Sequence, residues 1–104
     1  MPTRIRVTVG GVTLDGELAG TPTAEAFRAA LPFTGEIRTW GDEFYFATAV
    51  RMGLDETATC EVDVGTIGYW PPGRAVAIFF GPTPASSGPK PVPASEVNII
   101  GRLA

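Results

Sequence analysis

The chain has 104 residues, is 44% hydrophobic, and carries a net charge of −3 with one cysteine and no histidine. Those values describe one domain over residues 1–104, able to bury about two-thirds of the surface its unfolded chain exposes. The absence of any Lys or Arg cluster argues against phosphate backbones and anionic lipid as partners, and the absence of histidine removes imidazole bases and imidazole metal ligands.

In chain order, Arg4 to Val9 alternates apolar and polar residues, the period of a half-buried strand. Gly10-Gly11 is a tight hairpin turn, and Val12 to Leu18 alternates again, with Gly16 at a position that would face the core and so marks a bulge or bend. Thr21-Pro22 opens a helix with a hydroxyl cap and a proline at the first helical position. Ala24, Phe27 and Leu31 share one face of it, and Pro32 ends it, giving a short amphipathic plug across the open end of a sheet or barrel.

Phe33 to Trp40 is predicted as a third strand, and Gly41-Asp42 as the turn into a fourth, Glu43 to Ala47. Residues 48–58 are predicted as loop, Thr59 to Val64 as a fifth strand and Gly65 to Trp70 as a sixth. In the fifth, Cys60 shares a side with Val62 and Val64, the pattern of a buried apolar thiol, while Glu61 and Asp63 form a solvated face. Pro71-Pro72-Gly73 is a stiff break after two large aromatics. Ala75 to Phe80 follows, apolar at every position, as in a strand buried on both faces or one whose second face lines a groove. Gly81 to Ser95 holds five prolines and two glycines and is expected to be a long, extended, solvated connection of functional or disordered character. Val97 to Leu103 closes the chain. No apolar run approaches the roughly 20 residues of a membrane span, and the N-terminus lacks a secretory pattern, so a cytoplasmic protein is expected.

Three stretches carry a resemblance to the cyclophilin-like proteins: GELAGTPTAEAFRAAL, AVAIFFGPTP and VNIIGRL. A small prokaryotic branch of that family, of uncharacterised function, is resembled further through TWGDEFYF, GYWPPGRAVAIFFGPTP and PASEVNIIGRL. The resemblance implies a mainly β fold, a closed eight-stranded barrel capped by one or two short helices. It also implies a shallow apolar groove on the outside of the barrel that in cyclophilins accepts a prolyl peptide. By position Phe80 would line that groove, and Phe44, Tyr45 and Phe46 would stand on the neighbouring strand at its floor.

The chain departs from cyclophilins in having neither glutamine nor histidine, and the segment that would supply two of their groove residues is shortened into Gly81 to Ser95. Arg38 stands near the place of their catalytic arginine, at a different spacing. Prolyl isomerisation needs a donor for the twisted amide and an apolar seat for the ring, and here the seat is better represented than the donor. The expected function is therefore a non-catalytic binding module for a small apolar ligand or an extended, proline-containing peptide, held by Phe44, Tyr45, Phe46, Trp70 and Phe80. Trp70 is the anchor made rigid by its prolines. A weak peptidyl-prolyl cis-trans isomerase using Arg38 is the alternative. No cofactor or metal is expected: Asp42-Glu43 fits turn chemistry better than cation binding. Asn98 is expected to hydrogen-bond backbone.

Overall fold

Alternating side chains and a two-glycine turn build the first hairpin. In the computed structural model, which describes residues 3–103, β1 (Thr3–Val9) pairs antiparallel with β2 (Val12–Leu18), from Thr3 opposite Leu18 to Val9 opposite Val12. Gly10 and Gly11 take positive φ, 55° and 83°, the mirror-image turn whose twist suits the flanking strands. Five further strands complete one antiparallel sheet: β3 (Arg38–Thr39), β4 (Glu43–Ala47), β5 (Thr66–Trp70), β6 (Ala75–Phe79) and β7 (Asn98–Leu103). Their spatial order is β1-β2-β7-β5-β6-β4-β3. The break at Pro71–Gly73 is a single 3-10 turn between β5 and β6.

β2 and β7 approach closely, and two glycines allow it. A Cβ on Gly101 would lie 2.2 Å from the Glu17 carbonyl oxygen, and one on Gly16 would lie 2.8 Å from that of Arg102. Gly16 thus marks a backbone contact rather than a bulge. The one helix, α1 (Pro22–Ala29), packs on β7 and β2. The Thr21 hydroxyl caps it by accepting the Ala24 N–H at 3.2 Å, and it buries Ala24 and Phe27. No helix among the described residues is long and apolar enough to cross a membrane.

The sheet curls into a half-barrel around an inner core that includes Leu18, Phe27, Ile67, Tyr69, Val76, Ile78 and Ile100. The closed eight-stranded barrel expected from the sequence is corrected to seven strands, with the sheet open between β1 and β3. Two predicted strands account for the difference. Residues 33–37 of the predicted third strand leave the ladder because Phe33 folds over the open end, its ring stacked on Phe46 at 5.5 Å and tilted against Phe27 at 6.5 Å; Arg38–Thr39 remain paired. Residues 59–64 make one bridge, Thr59 to Val97. The Thr59 hydroxyl then accepts the Glu61 N–H at 2.9 Å and turns the chain. That turn breaks the alternation, so Val62 is buried while Cys60 is exposed, correcting the buried thiol expected there.

Residues 48–58 form a loop pinned by a buried polar network. The fully buried Asn98 amide donates to the Thr23 hydroxyl at 3.0 Å and the Gly53 carbonyl at 2.9 Å, and its oxygen accepts the Asp55 N–H at 2.8 Å. Burial alone would raise the Asp55 carboxyl, but hydrogen bonds from the Thr57 and Thr23 side chains and the Thr57 backbone outweigh it and hold it below its ordinary value. Tyr69, also fully buried, donates its hydroxyl to the Val50 carbonyl at 2.6 Å. Residues 81–95 are irregular as expected but not merely extended and solvated. Thr83 and Pro91 are buried, the Thr83 hydroxyl donates to the Val92 carbonyl, and the Ser86 hydroxyl donates to the Lys90 carbonyl at 2.7 Å.

Candidate functional site

Strand alternation divides β4 and β6 between two surfaces. Phe44, Phe46, Val76 and Ile78 face the inner core; Glu43, Tyr45, Ala75, Ala77 and Phe79 face outward. The outward set does not become solvent surface, because residues 59–64 and 91–97 lie over it and create a second core of Val62, Ala77, Phe79 and Val97. β6 is consequently buried at all five positions.

Where that cover stops, a cavity of about 260 Å³ remains open on the outer face. Ala75 and Ala77 are small, which leaves depth. Trp40, Tyr45, Trp70 and Phe79 supply walls, and Pro93, Ala94 and Val97 border it from the proline-rich segment. The two tryptophans are placed by turns. Gly41-Asp42 reverses the chain so that the Trp40 backbone N–H donates to the Glu43 backbone carbonyl at 3.0 Å, bringing both side chains to one face beside Tyr45. Trp70 ends β5, and its indole N–H donates to the Ser95 hydroxyl at 2.6 Å. A Cβ on Gly73 would lie 2.7 Å from its ring, so the 3-10 turn fixes the indole as well.

Among the described residues, Glu43 is the charge-bearing group that lines this apolar surface. It is 7% exposed, and among the described residues its side chain has no hydrogen bond or ion pair. Desolvation raises its pKa from the ordinary 4.5 to about 7, so near neutral pH the groove holds either a proton donor or an unpaired carboxylate.

The residues singled out from the sequence are distributed unevenly around this geometry. Tyr45 and Trp70 line the cavity. Phe44 and Phe46 do not, because alternation turns them inward; the expectation that all three residues of Phe44, Tyr45 and Phe46 floor one groove is corrected. Phe80 lies outside the cavity, 42% exposed, with its ring 4.7 Å from that of Phe44; the groove takes Phe79 in its place. Arg38 pairs with Tyr45 across β3 and β4 but is exposed and not among the lining residues. Sequence reasoning missed Trp40 and Glu43. The usable signal was the two-residue turn, which makes them cross-strand neighbours on the same face as Tyr45.

A family model described as Cyclophilin-like matches residues 3–104. The solution structure of a hypothetical protein from Archaeoglobus fulgidus is similar, with a TM-score of 0.83 and 39% sequence identity; the match covers 99% of this chain and 80% of that one. No curated protein matches at a significant level.

Proposed function

The chain belongs to the Cyclophilin-like family, and from that premise we propose that it is a non-catalytic binding module whose ligand sits in the outer groove. The observation that carries this reading is the open 260 Å³ cavity walled by Trp40, Tyr45, Trp70 and Phe79 over two alanines. A concave apolar surface with one buried polar group is the common form of a small-ligand site. Rings held by turns and by Ser95 lose little freedom on binding, which favours affinity. The ligand class is a small, largely apolar molecule or an extended, proline-containing peptide segment. Arg38, exposed and outside the lining, gives the isomerase alternative no support.

The test joins binding to catalysis. On titration with a short X-Pro peptide or a small apolar probe, the Trp40 and Trp70 indole N–H signals should shift while Phe33 and Phe46, on the inner face, stay unmoved. The same protein at high concentration should leave the isomerisation rate of the peptide unchanged. Acceleration that is lost in Arg38→Ala would replace the binding module with an enzyme.

A further inference from the structure

Resting on the groove reading above, we propose that this site is a cage for an organic cation, a methylated or quaternary ammonium group seated against Trp40, Tyr45 and Trp70 with the Glu43 carboxylate as its counter-ion. Burying a carboxylate is costly unless it is paired or coordinates a metal. Glu43 is 7% exposed as a residue and lines the cavity, and its carboxylate oxygens, without a partner among the described residues, are not sealed from solvent. A neutral apolar guest would leave that group desolvated and unmatched.

The walls indicate what kind of partner completes it. Tryptophan and tyrosine rings attract cations through the negative potential of their faces, most strongly where water is excluded. Three such rings and one carboxylate lining the same cavity suit a large, weakly hydrated cation with an apolar skin. They do not suit a hard metal ion, which needs several oxygen ligands; among the described residues no group of three or more His, Cys, Asp or Glu comes together. Among the described residues no basic side chain pairs with Glu43 either. Arg38 on β3 is the basic group on this face, and it is exposed without an ion pair to Glu43. The other titratable neighbours are Tyr45, two residues along the same face, and Asp42 in the turn, whose carboxylate lies against Gly81. On β6 Glu43 stands opposite Phe79, and the other residues that β6 and the proline-rich segment give to the cavity, Ala75, Ala77, Pro93 and Ala94, are apolar.

Choline and its uncharged carbon isostere 3,3-dimethyl-1-butanol separate charge from shape. Titrations followed by the Trp40 and Trp70 indole signals should show choline binding the groove and the isostere binding at least about ten-fold more weakly. With Glu43 ionising near 7, choline affinity should rise by up to about thirty-fold between pH 5.5 and 8.5, following the ionised fraction. Glu43→Gln, which keeps shape and removes charge, should abolish that pH dependence and reduce choline binding toward the level of the isostere. Equal binding of choline and isostere, or undiminished choline binding by Glu43→Gln, overturns the cation cage and leaves the groove reading standing. An X-Pro peptide that shifts both indoles while choline shifts neither has the same meaning. If no probe moves either indole, both readings fall.

Discussion

The outer groove and the seam between β1 and residues 32–37 are both ring-lined, apolar openings, and they differ in what their surroundings are built to hold. The seam is the larger, about 620 Å³ against about 260 Å³. Its rings, Phe27, Phe33 and Phe46, pack on one another, and the charged side chains that line it, Arg4 and Arg6, are exposed. The groove's rings share their cavity with two alanines and with Glu43, a residue only 7% exposed, and both tryptophans are braced by turns. Volume alone would choose the seam as the site. Chemistry chooses the groove, because a partly desolvated acid with no partner among the described residues lowers stability unless something else compensates. The seam is what remains where a sheet fails to close; the groove sets a carboxyl among apolar side chains.

Substitutions can sharpen or break that contrast. The largest effect should come from Phe79→Ala, which removes a fully buried ring shared by the groove wall and the outer core. A loss of about 3–5 kcal/mol in denaturant unfolding is expected. If the loss is under about 1 kcal/mol, the outer face is not a packed core and the groove has no rigid wall.

Glu43 should give the next largest effect, and its sign is diagnostic. Its folded-state pKa of about 7 lies above the ordinary 4.5, so between those values the folded protein holds a proton that the unfolded chain has released. Stability should therefore be highest below pH 4.5 as far as this group is concerned, fall by about 1–3 kcal/mol as pH rises through 7, and level off above. Glu43→Gln should flatten that slope and be the more stable protein at pH 8. A wild type that gains stability across this window from Glu43 would contradict the burial described here.

Phe33→Ala at the seam should cost only about 1–2 kcal/mol, since the ring is already at the edge of exposure and its contacts are with Phe27 and Phe46. A loss as large as that of Phe79→Ala would erase the distinction between the two openings. The smallest effect belongs to Cys60, exposed after the chain turns at Thr59. It should react with a thiol reagent in the native protein, and Cys60→Ser should change stability by no more than about 0.5 kcal/mol.

What was legible in the sequence follows the same division. Wherever a regular period meets a turn of known chemistry, the chain announces its structure: β1 and β2 around Gly10-Gly11, α1 after Thr21-Pro22, β4 after Gly41-Asp42, and the all-apolar β6. Periodicity misled where tertiary contacts overrode it. Phe33 gives up strand pairing to cover the open end, and the Thr59 hydroxyl diverts a segment whose alternation otherwise promised a fifth strand. Two faces of one strand were also merged: Phe44, Tyr45 and Phe46 cannot all line a groove, because side chains alternate. Asn98 could be read as hydrogen-bonding backbone, but its partners at Thr23, Gly53 and Asp55, like the Val50 partner of Tyr69, lie far along the chain. The importance of Glu43 depends on what residues 91–97 cover, which no local window of sequence contains.

The most direct test of the account follows the Glu43 side-chain carboxyl by carbon-13 NMR through a pH titration, in the absence and the presence of choline. The account predicts a midpoint of about 7 for the free protein and a clear downward displacement when choline is bound, because a cation in the groove stabilises the carboxylate. A midpoint near 4.5, or one that choline leaves in place, would contradict it.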